Sequence, residues 1–368
     1  MGTLRVLLAL SVIVGHSSSG ILGSMLVNRG VAVHLFFVVS GFYMALILTR
    51  KYRDHRTFYI NRVLRLWPTY LVVLVAACAW FYADWLYLGK RPPPLWLPQA
   101  FAAMPFWQAF LLHASNITMV GSDIPYFFSY LPGSGFLFKP TNVPLPADAY
   151  EAHAFLDIGQ AWSISLEIWF YLAAPFLVGR RILFLGGVVA ASMLLNLCTD
   201  SVDIPTYFFF PSQLYLFVVG ILLYKFYERY RTDIHRSPLG PLALVAVTAA
   251  CLAYERLPAS VAPYFIFAIC VPAIPWLFAY FCDSRWDTEL GNLSYPIYLT
   301  HPLIAGLLLT VFHVHSGTIV AVMSIAASAG LYWLVERPVD RFRQALVHRR
   351  ARKIGRETEP VASGSSAS

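Results

Sequence analysis

Charge is scarce in this sequence. Asp, Glu, Lys and Arg supply 12% of its 368 residues, about half the share of an ordinary soluble domain. Apolar residues supply 58%. A water-soluble chain could not hide that much apolar surface, so the shortage excludes a soluble globular protein and points to an integral membrane protein. Cysteine is sparse as well. Cys78, Cys198, Cys251, Cys270 and Cys282 are dispersed, with no CxxC pair. That spacing argues against a disulfide framework and against a zinc site; no metal is expected, and the thiols are expected as small buried hydrophobes. HExxH, GxSxG and Walker sequences are missing, which leaves metalloprotease, serine-hydrolase and P-loop chemistry without local support. Internal repeats and paired broken helices, common in transporters, are missing too.

What is present is apolar and aromatic. Trp, Tyr and Phe reach 16%, which suits rings anchored at two membrane interfaces. Ten segments approach the roughly 20 apolar residues that a bilayer crossing takes: 3–22, 30–50, 66–88, 160–179, 181–198, 208–226, 239–254, 261–281, 293–312 and 317–335. The fold class expected is therefore all-α, a polytopic transmembrane helical bundle. Residues 1–20 carry no convincing cleavage signal and read as a retained first helix. A shorter stretch, 98–114, reads as an interfacial or re-entrant helix.

The net charge is +8, but the positives sit between the spans. They cluster at 50–65, at Arg180 and Arg181, at 225–236 and after Glu336. Ten alternating helices with the N-terminus inside put all four clusters on the cytoplasmic face, giving an N-in, C-in topology. The partner implied is the bilayer, with no nucleic acid. One long outer loop, about 89–159, is rich in Pro, Gly and aromatics; such loops are usually functional or disordered, and the aromatic content argues against plain disorder. The organisation expected is a membrane domain over 1–343 and a tail over 344–368, basic and then disordered.

A few polar residues stand out because a titratable side chain in an apolar span is a functional candidate. Arg5 and His16 are eleven residues apart, roughly three turns plus 20°, so on one continuous helix they share a face about 16 Å apart. Arg5 alone also reads as a positive-inside anchor, and His16 as an interhelical hydrogen-bonding group. Ser40 and Gly41 fall mid-span in "FFVVSGF" (36–42), where packing explains them equally well. Arg62 and Arg65 share a helix face and could grip phosphates with two guanidinium forks, or simply set topology. Glu167 must face the bundle interior or a partner; it could orient His16 or pair structurally. His301 is a second mid-span imidazole, on a helix with Ser294, Tyr295 and Tyr298. "NIT" at 116–118 matches a glycosylation sequon by chance-level length.

Taken in order, Arg5 with His16, "FFVVSGF" (36–42), "RVLR" (62–65), "WSISLEIWFYL" (162–172), "SYPIYLTH" (294–301) and "ERP" (336–338) resemble the acyltransferase-3 family of bacterial membrane O-acyltransferases. These act on cell-surface and secreted sugars: lipopolysaccharide, exopolysaccharide, nodulation factors. The resemblance covers residues 3 to about 343, with departures at His34 and Ile168. It implies an acyl-CoA donor, acetyl-CoA most commonly, reaching the cytoplasmic side of the inner membrane. The acceptor would be a sugar or glycolipid hydroxyl on the outer side. Arg5, Arg62 and Arg65 would form a basic collar for the donor phosphates. The pantetheine arm would thread the bundle and deliver its thioester to His16, the general base, an imidazole being suited to that work at neutral pH. Glu167 would orient His16, and Ser40 would help stabilise the oxyanion. Gly41, Phe37, Trp162, Ser294, Tyr295 and His301 would line the pocket. An acyl-enzyme on Ser40 is less favoured on sequence grounds, with no base adjacent. The alternative is a transporter of a lipid, sugar or small acid using intramembrane His and Glu.

Overall fold

A computed structural model describes residues 1–16, 19–21, 24, 26–51, 54–89, 104–139, 146, 148–200 and 204–345. Twelve α-helices run through them: α1 Gly2–Val14, α2 Arg29–Arg50, α3 His55–Leu88, α4 Phe106–Thr118, α5 Ala161–Leu177 and α6 Ile182–Asp200. The second half holds α7 Phe210–Arg229, the short α8 Arg231–Arg236, α9 Leu239–Ala253, α10 Ala262–Phe281, α11 Arg285–Phe312 and α12 Gly317–Leu331. Eight helices are long and apolar enough to cross a membrane, and α1 and α5 are shorter apolar helices. Each of the ten predicted segments coincides with one of these ten. The protein is an all-α polytopic bundle, with one small sheet.

The bundle is built on close helix pairs. α2 packs most extensively on α7, and α1 on α11. Glycine permits both approaches. A Cβ on Gly41 would lie 2.0 Å from the Phe217 carbonyl oxygen, and one on Gly220 would lie 2.1 Å from that of Val38. Without a hydrophobic driving force between helices in lipid, such small-residue contacts carry the packing. At the α1–α11 pair the Asp287 carboxylate accepts the Gly2 N–H at 2.6 Å and the Thr3 N–H at 2.8 Å, capping the start of α1 from a neighbouring helix.

Three expectations shift. The first helix ends at Val14, with Gly15 as its C-cap, well short of residue 22. His16 therefore lies beyond the helix, and periodicity no longer fixes its direction. The third helix starts at His55 rather than near residue 66, because Asp54 accepts the N–H groups of Arg56 and Thr57, so Arg62 and Arg65 lie on the spanning helix itself. The outer loop has regular structure. Strands β1 Phe128–Leu131, β2 Gly135–Phe138 and β3 Tyr150–Glu151 form an antiparallel sheet in the order β2-β1-β3. Its hairpin was legible in "YLPGSGFLF": Gly133 (φ +83°) and Gly135 (φ +84°) adopt the left-handed turn geometry that only glycine takes freely. The helix expected over 98–114 is α4, starting at Phe106 and running on to Thr118; residues 98–103 lie outside the described set, as does the tail from 346. Of the cysteines, Cys251 and Cys270 are buried, whereas Cys198 and Cys282 are exposed. Those two sit near helix ends, where little covers them.

Candidate active site

Among the described residues, two cavities hold most of the candidate site residues. The first, about 330 Å³, is lined by Arg5 on α1, Ser40 on α2, Arg62 and Arg65 on α3, and Glu167 on α5. Phe37, Ser294 and Tyr295 line it as well. Arg62 is 7% exposed, and its Nε meets no hydrogen-bond partner among the described residues; its guanidinium lies over the Tyr171 and Phe58 rings at 5.7 and 5.8 Å. Among the described residues none of the three arginines makes an ion pair. Of the two carboxylates in this lining, Asp287 is paired with the Met1 ammonium, which leaves Glu167 facing three arginines. A buried guanidinium without a counterion is expensive, so the chamber is suited to an anion.

The second cavity, about 750 Å³, is lined by His16, Arg29, Asp157, Trp162, Tyr126 and Phe208, among others. The two cavities meet at Val33 and Tyr298, the residues that line both. The Tyr298 hydroxyl is tied to Ser163 Oγ at 2.6 Å, and Gln160 on the same helix start donates to the Leu299 carbonyl at 2.9 Å. Tyr298, held by this bond, stands where the two cavities adjoin.

Sequence reasoning put Arg5 at the cytoplasmic end of the face it shares with His16, and Glu167 at the depth of His16 as its orienter. Glu167 lies instead in the cavity of Arg5. Arg5 and Glu167 line the first chamber, and His16 lines the second. Glu167 Oε1 instead accepts the Ser40 hydroxyl at 2.6 Å and the Tyr171 hydroxyl at 2.5 Å. Ser40 thus commits its proton to a carboxylate and is not poised over His16 as an oxyanion donor. Gly41 faces α7 and lines neither cavity, because its backbone is needed for the helix contact. Trp162 belongs to the second cavity.

The neighbours of His16 are Arg29 and His301. Arg29 Nη1 lies 3.3 Å from His16 Nδ1, and the His301 ring lies 5.3 Å away, centroid to centroid. Arg29 can only donate, so a neutral His16 presents its Nδ1 lone pair to it and carries hydrogen on Nε2. His301 is fully buried and lines neither cavity. Its Nδ1 lies 2.8 Å from the Tyr298 carbonyl, which can only accept, so Nδ1 carries the hydrogen and Nε2, without a partner, keeps its lone pair. Sequence reasoning missed Arg29, Tyr298 as a wall, and Asp157. Arg29 opens α2 after the Asn28 cap, and nothing in its local sequence marks it.

Asp157 precedes α5 in the outer loop, and its position is set by Asn116. Asn116 Oδ1 accepts the Asp157 N–H at 2.8 Å, its amide donates to the Phe155 carbonyl at 2.9 Å, and its carbonyl accepts the Tyr70 hydroxyl at 2.6 Å. Both ends of this side chain are used inside the fold, and Asn116 is 2% exposed, so the sequon at 116–118 is structural. Burial pushes the Asp157 carboxyl up to about 6, and His113 pulls it back slightly. A folded value above the ordinary 3.8 means that the fold favours the protonated form; that stability is complete below pH 4 and is lost as pH rises through about 6. Asp157→Asn is therefore expected to stabilise the protein near neutrality by about 2 kcal/mol. The gain should shrink towards about pH 5. Thermal unfolding in detergent at the two pH values checks this; an equal gain at both would remove the carboxylate charge as its cause.

The family model described as "Acyltransferase domain" matches residues 2–336. Proteins of Staphylococcus aureus strains COL, MSSA476 and MRSA252, whose names carry the words O-acetyltransferase, are each 23% identical to this chain over 180 residues. The matched stretch is 48% of this chain and 24% of each relative, so the chain spans about a quarter of the length of the curated relatives it matches. No solved structure matches it. With the family model covering the bundle from Gly2 through Glu336, the chain belongs to the acyltransferase-3 family of integral membrane proteins.

Proposed function

We propose that this protein is an O-acyltransferase of the bacterial inner membrane. It moves an acyl group, acetyl as the simplest case, from cytoplasmic acyl-CoA to a sugar or glycolipid hydroxyl at the outer face, with both termini of the bundle inside. The observation that carries this reading is the first chamber: three arginines without ion pairs, separated by one tyrosine from a cavity holding His16. A volume near 330 Å³ is at the low end for small-ligand sites. It suits the pantetheine arm and thioester, with the arginines turned to the donor's phosphates.

His16 acts as the base. Its Nδ1 gives up the contact with Arg29 and takes the proton of the acceptor hydroxyl, the oxygen attacks the thioester carbonyl, and the C–S bond breaks. The departing thiolate takes that proton and leaves as free CoA thiol. For thioester and imidazole to meet, Tyr298 swings aside and gives up its bond to Ser163. One observation favours a second route. Ser40 bonded to Glu167 at 2.6 Å is a nucleophile with a base in place, so the acyl group would rest on Ser40 before crossing the wall.

Membranes carrying the protein, supplied with acetyl-labelled CoA, test both. Label in glycan hydroxyls supports transfer, label also trapped on the protein and lost in Ser40→Ala supports the relay, and label in neither defeats the proposal. In the same assay Arg62→Ala with Arg65→Ala is expected to raise the donor KM about 100-fold, with a smaller change in kcat. An unchanged donor KM would free the first chamber from a role in binding CoA.

A further inference from the structure

His301 has no part in the transfer described above, yet its ring is fully buried on α11 beside the base. Its Nδ1–H is spent on the Tyr298 carbonyl at 2.8 Å, and its Nε2 has no hydrogen-bond partner among the described residues. A buried lone pair left so is costly. The ring next to it can supply a donor. The His16 centroid is 5.3 Å away, a distance that puts two facing ring nitrogens about 3 Å apart, within hydrogen-bonding range. Arg29 Nη1, 3.3 Å from His16 Nδ1, holds the neutral His16 ring in the tautomer that carries hydrogen on Nε2. That contact has to be given up before Nδ1 can take a proton, and the guanidinium then repels the imidazolium that forms. The turned ring needs a second hold, one that accepts its Nε2–H and favours its charge. Glu167 lies in the other cavity. The remaining titratable groups lining the cavity of His16 are Asp157, Tyr126, Tyr207 and Tyr298. Asp157 Oδ1 is closed inside the fold, the Tyr126 hydroxyl donates to the Gly159 carbonyl, and the Tyr298 hydroxyl is tied to Ser163.

We infer that His301 is the positioning residue of the base: its Nε2 lone pair accepts the His16 Nε2–H once that ring leaves Arg29, fixing Nδ1 toward the acceptor hydroxyl and stabilising the imidazolium. The base then has two stations, Arg29 at rest and His301 at work. No proton passes to His301. Its Nδ1–H stays on the Tyr298 carbonyl, and the proton that His16 takes at Nδ1 is the one later given to the thiolate. The catalytic use of this pair rests on the acyl-transfer reading; the pairing of the two rings does not.

Three variants separate this role from simple support of the helix. His301→Leu removes both ring nitrogens. His301→Gln keeps an acceptor where Nε2 stood. His301→Asn keeps a donor near Nδ1 and loses the far acceptor. In the purified full-length protein, the titration of His16 is followed by its modification with diethyl pyrocarbonate, which attacks neutral imidazole, and is read by mass spectrometry across pH. Label transfer from acetyl-CoA is measured on the same preparation. Losing the acceptor disfavours the imidazolium, so His301→Leu and His301→Asn are expected to lower the His16 midpoint by about one pH unit. The same two variants should lower kcat about 100-fold with the donor KM unchanged, and His301→Gln should rescue both readings in large part. Should His301→Leu fail to fold, the contrast between Asn and Gln decides. Rescue by Asn and not by Gln would assign the effect to the Tyr298 carbonyl bond and overturn the inference, as would an unmoved midpoint in every variant. A midpoint that shifts as expected in a protein that transfers no label retains the pair and loses the acyltransferase reading. Full transfer with a native midpoint in every variant does the reverse.

Discussion

Replacing His16 by alanine is expected to lower acyl transfer about 1,000-fold while leaving the protein folded and inserted. The residue lies past the end of α1, exposed, and among the described residues its polar or ring neighbours are Arg29 at 3.3 Å and the His301 ring at 5.3 Å. Truncation there removes little packing, so lost activity reports lost chemistry. The proton of the acceptor hydroxyl has no other imidazole in the cavity to receive it, because His301 lines neither chamber. The measurement is kcat for label transfer, alongside thermal unfolding of the same preparation. A His16→Ala protein that transfers label at the native rate would take the base role away from this residue. The pH profile adds a second reading. A single imidazole base gives a rate that climbs with pH through its titration and then levels, and in the variant that limb should vanish.

The second large effect is on assembly. Gly41→Ala is expected to destabilise the bundle by about 3 kcal/mol or more. A Cβ at that position would stand 2.0 Å from the Phe217 carbonyl oxygen, and the neighbouring atoms it meets are all backbone, so no side chain can rotate out of the way. α2 and α7 would have to separate, and Gly220, placed reciprocally against Val38 and Phe42, would lose its contact at the same time. α2 carries Ser40 and Phe37 into the arginine chamber, so transfer should fall with stability. Thermal unfolding of the detergent-solubilised variant checks this. An unchanged melting temperature would mean that the α2–α7 seam is far more yielding than its geometry.

Much of the fold could be read directly. Scarce charge and ten apolar runs gave the helical bundle, because lipid forces every backbone polar group to be satisfied within its own segment. Boundaries were harder. The end of α1 at Val14 was masked by apolar residues continuing past Gly15, and α3 reached back to His55 through a basic stretch because Asp54 caps it. The sheet in the outer loop was overlooked, although Pro132, Gly133 and Gly135 mark its turn.

The candidate site was legible as a set of residue types, not as an arrangement. Arg5, Arg62, Arg65, Ser40, Glu167 and His16 could each be singled out, since an ionisable or polar side chain in an apolar span must be given a partner or a task. Which of them meet is a long-range matter. Ser40 and Glu167 are 127 positions apart and share a hydrogen bond, whereas Arg5 and His16, separated by a few turns, open into different cavities. Asp157 and Arg29 have no local pattern at all; they become visible only when the α2 start, the loop before α5 and the aromatic wall close on one space. The sequence by itself determined the membrane class, the helices and the list of chemically capable residues, because composition and periodicity are local properties. The tertiary structure alone decided their grouping into two chambers divided by Tyr298, because helix packing pairs side chains by shape and contact, without regard to their distance along the chain.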